Sequence, residues 1–171
     1  MKYFLPLVEQ QDFGRMAIYD AHQQPLYIAL GKFSQASGTI FLTDLEHHDC
    51  GRISVNRDQL GTHFTILLPE QDSLQVTRLK LFNLVYYRVP AVHYTVLGQQ
   101  KKSNFKFYQQ THQIAQAKLI VTDSGPTMLL ETTAAAQQEL LILLTLIFIQ
   151  PDFWTLKLDL KTKRYVFQPT F

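Results

Sequence analysis

The ten residues 140–149 constrain the fold more than any other segment of this chain. Nine of them are apolar and Thr145 is the only polar one, so a helix formed here has no face suited to water. Ten residues are also far fewer than the roughly 20 that cross a bilayer. We therefore expect the rest of the protein to surround this segment, and we expect no transmembrane span.

The flanking residues predict where this helix begins and ends. Residues 134–139 are good helix formers, and Thr132 or Thr133 is expected to cap the N-terminus. Pro151 disfavours a helical conformation at the residue before it. The resulting helix, 134–149, is about 24 Å long. A seven-residue strand is about 23 Å long, so the helix matches the axis of a closed sheet.

Residues 15–131 consist of short segments in which apolar and polar residues alternate. A period of two is typical of antiparallel strands with one buried face. The alternation changes phase within residues 74–82, and a bulge near Thr77 would restore it. After Pro151 alternation resumes, which predicts a C-terminal hairpin over 154–168 that turns near Thr162. Other turns are expected at His22-Gln23-Gln24-Pro25, at residues 98–104 and at Asp123-Ser124-Gly125-Pro126.

Composition indicates one domain spanning 1–171. The net charge of +2 and the pI near 8.6 are too weakly basic for a nucleic-acid-binding surface. Cys50 is the only cysteine, which excludes an intramolecular disulfide and a cysteine-based metal cage. The N-terminal residues lack a secretory apolar core, so we expect a cytoplasmic location.

The order of segments resembles the tubby C-terminal-like superfamily, especially its LURP-one-related and bacterial members. The resemblance implies a closed antiparallel β-barrel of about twelve strands around a central hydrophobic helix. Phosphoinositide binding is attributed to tubby itself and lipid scrambling to the related scramblases, but no residue of either site is matched here. The stretches that carry the resemblance are Ile18-Tyr19-Asp20, Pro25-Leu26-Tyr27, Gly31-Lys32, Ile40-Phe41-Leu42-Thr43-Asp44, Cys50-Gly51-Arg52-Ile53, Asn104-Phe105-Lys106-Phe107 and the helix.

The densest group of chemically versatile residues is His47-His48-Asp49-Cys50. Its side chains are of the types that ligate zinc or form a Cys/His nucleophile. Consecutive strand residues point to opposite faces, and Gly51 favours a turn. We therefore predict a solvated turn, with no metal site and no catalytic residue here.

Familiar catalytic signatures are absent from the sequence: it contains no P-loop, no G-x-G-x-x-G, no G-x-S-x-G and no H-E-x-x-H. No cofactor is predicted. The preferred hypothesis is a non-enzymatic binding or scaffold domain that contacts an anionic lipid headgroup or a protein partner. One alternative is an enzyme whose site lies at a barrel mouth. Another is that residues 140–149 leave the barrel and insert into a membrane or a partner. Candidate contacts for an anionic ligand are Lys101, Lys102, Lys106, Lys157, Lys161, Lys163 and Arg164; the alternative role for such lysines is to protect sheet edges from association.

Overall fold

The computed structural model places twelve strands in one closed antiparallel barrel. The predicted mainly β class, with a barrel of about twelve strands, is confirmed. The described residues are 1–7, 14–33, 37–58, 61–81, 84–99, 104–133, 137–149, 154–159 and 164–169. The barrel strands are β1 (Lys2–Pro6), β2 (Arg15–Tyr19), β3 (Pro25–Phe33), β4 (Ser37–Asp44), β5 (Asp49–Asp58), β6 (Gly61–Leu67), β7 (Leu74–Leu81), β8 (Leu84–Val89), β9 (Tyr94–Gln99), β10 (Asn104–Gln109), β11 (His112–Thr122) and β12 (Gly125–Thr132).

The barrel has the simplest possible strand order. Each strand pairs with the next one in the chain, and β1 pairs with β12 to close the ring. The closing register runs from Lys2 opposite Glu131 to Pro6 opposite Thr127. Closure removes the free sheet edges that an open twelve-strand meander would expose.

Alternation along each strand sorts side chains between the core and the outer surface. In β10, Phe105 and Phe107 are buried and Lys106 between them is exposed. The same pattern places Ile53 and Val55 of β5 in the core. These inward side chains belong to one buried cluster, as expected for strands that bury one face.

Helix α1 spans Gln138–Phe148, a shorter range than predicted. Its residues 140–147 are at most 2% exposed, so the segment is buried, as expected. The apolar side chains of residues 140–147 share the cluster of the inward strand residues. Thr145 satisfies its hydroxyl within the helix, by donating to the Leu141 carbonyl at 2.8 Å.

The predicted threonine cap of this helix is wrong. Gln137 is the N-cap residue, and its side chain makes no capping hydrogen bond. Thr132 instead belongs to β12, and the hydroxyls of Thr132 and Thr133 both donate to the carbonyl of Ile114 on β11. Those hydroxyls therefore stabilise the β11–β12 pairing rather than the helix. Residues 134–136 lie outside the described part of the chain.

The predicted bulge near Thr77 is also wrong. Strand β7 keeps a regular register with β6 and β8, in which Thr77 pairs with His63 and Arg88. Val76 therefore faces the core, whereas Leu79 faces solvent and is 50% exposed. The change of phase in the sequence reflects an apolar residue on the outer surface.

Beyond the helix, β13 (Trp154–Asp159) and β14 (Arg164–Pro169) form a two-stranded antiparallel sheet in the region where a hairpin was expected. The expected turn at Thr162 lies outside the described residues. The turn at residues 123–124 joins β11 to β12, as predicted. No helix in the described ranges is long and apolar enough to cross a bilayer.

Candidate functional site

Five hairpin turns share one end of the barrel, which we call the turn end. They join β2 to β3, β4 to β5, β6 to β7, β8 to β9 and β10 to β11. Hairpin turns commonly contain a residue in the left-handed conformation. Each of these five turns contains one such residue, and in each case it is not a glycine. These residues, with φ between 54° and 66°, are Gln23, His47, Glu70, His93 and Gln110.

Two of these turns are built in the same way around an aspartate. Asp20 accepts hydrogen bonds from the backbone N–H groups of His22 and Gln24 through one carboxylate oxygen. Asp44 accepts equivalent bonds from Glu46 and His48. Both carboxylates therefore hold their own backbone, which fixes the loops around the start of α1.

The start of α1 is tied to the barrel by two tyrosines. The Tyr27 hydroxyl donates to Glu139 Oε1 at 2.9 Å, and the Tyr3 hydroxyl donates to Gln138 Oε1. Burial, and then Glu139, raises the pKa of both phenols. Both tyrosines therefore remain protonated donors at neutral pH, which anchors the helix to β1 and β3.

His47 and His48 lie in the β4–β5 turn, as predicted, and Cys50 lies at the start of β5. The His48 Nδ1 atom is 2.9 Å from Asp44 Oδ2, and this hydrogen bond lowers the pKa of Asp44. The Cys50 thiol points to the backbone carbonyl of His48, at 3.6 Å, rather than to an imidazole. Burial, and then the charge of Asp44, raises the pKa of Cys50, which keeps the thiol protonated and weakly nucleophilic.

The described residues contain no cluster of three or more His, Cys, Asp or Glu side chains arranged to hold a metal ion. They do form a cleft of about 400 Å³ beside the helix start. Asp49, Gln137 and Glu139 supply hydrogen-bond acceptors to its wall, and the buried Gln137 Oε1 atom has no hydrogen-bond partner in the described part of the chain. A second cleft, of about 490 Å³, lies against Tyr3 and Tyr27.

The predicted anionic-ligand contacts are only partly covered by the structure. Lys106 lies on β10 with its side chain exposed. Lys157 lies on β13 and Arg164 on β14, where the backbone alone is described. The remaining candidates, which lie outside the described residues, are Lys101, Lys102, Lys161 and Lys163.

Lys106 is part of an exposed surface that the sequence analysis did not predict. In the cross-strand register, Leu79 is opposite Tyr86, Tyr86 is opposite Leu97, and Leu97 is opposite Lys106. Leu79 and Leu97 are 50% and 39% exposed. Arg88 is two residues from Tyr86 on the same face of β8. We call this surface, formed by Leu79, Tyr86, Arg88, Leu97 and Lys106, the basic face.

The basic face lies within a long stretch of sequence that contains no acidic residue. Residues 73–122 contain seven Lys and Arg residues and neither Asp nor Glu. The other nine basic residues and all fourteen acidic residues lie outside it, so the remainder of the chain has a net charge of −5. The modest total of +2 therefore conceals a strongly asymmetric charge distribution, which spans β7 to β11.

The carboxylate nearest to Lys106 along this row is already neutralised. Gln116 lies opposite Lys106 and Glu131 lies opposite Gln116. Glu131 binds Lys118 at 2.9 Å and Lys2 at 3.3 Å, and these contacts lower its pKa. No described acidic side chain forms a salt bridge with Lys106 or Arg88.

Comparison with known protein families finds no family model that matches the chain, and no curated protein or solved structure matches it either.

Proposed function

We propose that the chain is a non-enzymatic binding domain of tubby-like type whose basic face docks on an anionic lipid surface. In this proposal α1 runs along the barrel axis, and the barrel is a rigid platform. Three contacts support the axial position: Tyr3 of β1 and Tyr27 of β3 bind the helix start, and a Cβ on Gly51 of β5 would lie 2.9 Å from Leu143 Cδ1. The resemblance to tubby-like barrels leads to the same arrangement.

The acid-free stretch of residues 73–122 is the observation that carries the lipid proposal. A cation near an anionic membrane contributes on the order of 1 kcal/mol, provided that no neighbouring carboxylate neutralises it. Among the described side chains the basic face meets that condition, and it adds exposed Leu79 and Leu97. Apolar side chains beside cations are the combination that peripheral proteins insert at the headgroup boundary.

The test is sedimentation of the purified chain with vesicles of phosphatidylcholine alone or mixed with phosphatidylserine. We expect binding to the mixed vesicles that weakens as salt is raised. The double variant Arg88→Gln/Lys106→Gln should bind roughly 30-fold more weakly, because two contributions of about 1 kcal/mol are lost. Leu97→Ser should weaken binding without changing its salt dependence.

The matched control is Arg15→Gln/Arg52→Gln, which removes the same charge from exposed residues on β2 and β5. It should bind the mixed vesicles as the wild type does. Equal binding to both vesicle types, or equal loss in both double variants, would refute a localised basic face. A third variant, Lys157→Gln/Lys161→Gln/Lys163→Gln, measures whether the C-terminal hairpin adds to the attraction.

A further inference from the structure

A second exposed row crosses strands β2 to β5. Arg15 is opposite Leu30, Leu30 is opposite Phe41, and Phe41 is opposite Arg52. The strand neighbours Met16, Ala29, Ile40, Leu42 and Ile53 are in the core, so all four side chains point outward. Leu30 and Phe41 are 38% and 43% exposed. We call this surface, Arg15-Leu30-Phe41-Arg52, the arginine-bracketed row.

The electrostatic surroundings of this row differ from those of the basic face. Residues 15–58 contain four basic and five acidic residues, so this part of the chain has no general attraction for an anionic surface. Neither Arg15 nor Arg52 forms a salt bridge with the described residues. Arginine presents a planar fork of donors that matches a carboxylate. Two arginines without a salt bridge to any described residue therefore favour two discrete carboxylates over a diffuse negative charge.

The position of the row on the barrel indicates its occupant. The centres of the row and of the basic face are five strands apart in a ring of twelve, which is about 150° around the barrel axis. A flat membrane under the basic face therefore cannot reach the row. We infer that the arginine-bracketed row binds a protein segment in which two carboxylates flank an apolar side chain. The choice of a protein rather than a second lipid contact rests on the proposed function.

The strand spacing sets the length of that segment. Three inter-strand steps separate Arg15 from Arg52, about 14 Å. In an extended peptide laid across the strands, residues four apart are about 13 Å apart and point to the same side. The expected pattern is acid-x-apolar-x-acid, with the apolar side chain between Leu30 and Phe41. Aromatic and arginine residues at the centre of an interface commonly dominate its affinity.

The test is to select, from a displayed library of random peptides, those that bind the purified chain in the absence of lipid. We expect the acid-x-apolar-x-acid pattern among the selected peptides. By fluorescence anisotropy, Arg15→Gln/Arg52→Gln and Phe41→Ser should each weaken a selected peptide by about tenfold or more. Arg88→Gln/Lys106→Gln is the control and should bind it normally. Circular dichroism verifies that each variant is folded.

Selected peptides without paired acids, or peptides that bind Arg15→Gln/Arg52→Gln as tightly as the wild type, would overturn the inference. So would loss of vesicle binding in Phe41→Ser, because the row would then be a lipid contact. The two proposals fail separately. If Arg88→Gln/Lys106→Gln leaves vesicle binding unchanged, the membrane role is wrong, and peptide binding still decides the role of the row.

Discussion

The contact between Gly51 and Leu143 provides the sharpest test of how α1 packs against the barrel. In Gly51→Ala, the new Cβ would lie 2.9 Å from Leu143 Cδ1 and 3.0 Å from the Leu67 carbonyl oxygen. The φ of +136° adds strain of about 1–2 kcal/mol for an L-residue, and overpacking adds about 1–3 kcal/mol. We expect Gly51→Ala to destabilise the fold by about 2–5 kcal/mol in total.

A double-mutant cycle isolates the helix contact. Leu143 is fully buried, so Leu143→Ala alone should cost about 2–5 kcal/mol. In the double variant the Cδ1 clash is gone, and the total should fall short of the sum by about 1–3 kcal/mol. Urea unfolding followed by circular dichroism measures each free energy of unfolding.

The control pair combines Leu143→Ala with Gly98→Ala, whose Cβ would instead meet the ring of Phe105 at 2.6 Å. This pair should be additive within about 0.5 kcal/mol. Additivity in the Gly51→Ala and Leu143→Ala pair as well would refute the packing of α1 against β5.

Three further predictions follow from the same structure. Leu144→Asp should abolish cooperative unfolding, because an unpaired carboxylate in the core costs several kcal/mol; a soluble, cooperatively melting variant would contradict the buried helix. Because folding raises the pKa of Tyr27, the stabilisation from its hydroxyl is complete below pH 10 and declines above pH 10, where the tyrosine of the unfolded chain ionises. Between neutral and alkaline pH, Tyr27→Phe should therefore lose less stability than the wild type. Equal losses would show that the Tyr27 hydroxyl does not stabilise the fold in this way. Gln23→Gly should raise the free energy of unfolding by on the order of 0.5 kcal/mol, because the relief of steric strain at positive φ exceeds the stability lost to the greater entropy of glycine in the unfolded chain. Thermal melting measures the change, and a lower midpoint would show that the Gln23 side chain stabilises the turn.

The sequence predicted the features of the fold that arise from local pattern. Alternation predicted strands with one buried face, and β10 has that pattern, with Phe105 and Phe107 in the core. The almost wholly apolar segment 140–149 predicted a helix surrounded by the rest of the protein. The errors occurred where a local pattern has two explanations. An apolar residue out of phase could mark a bulge or an exposed position, and Leu79 is exposed. Thr133 could cap a helix or bind a neighbouring strand, and it binds Ile114.

The candidate surfaces were harder to predict, because they depend on residues far apart in the chain. Tyr27 and Glu139 are separated by 112 positions, and no spacing rule connects them. Predicting the arginine-bracketed row requires the pairing register of four strands. A one-residue slip in any of them would move its side chains to the opposite face of the sheet. The charge asymmetry is present in the sequence, because residues 73–122 contain no Asp or Glu. The net charge of the whole chain does not reveal it, and it becomes evident only when the net charge is calculated for separate segments.

The strand order also has a consequence for synthesis on the ribosome. All twelve barrel strands precede α1 in the chain, and their inward side chains share one buried cluster with it. At roughly 5–20 residues per second, translation of these strands takes on the order of ten seconds. Throughout that interval the hairpins carry an apolar face without the helix that covers it. We therefore expect folding to be completed only after α1 leaves the exit tunnel, rather than while the barrel strands are being translated.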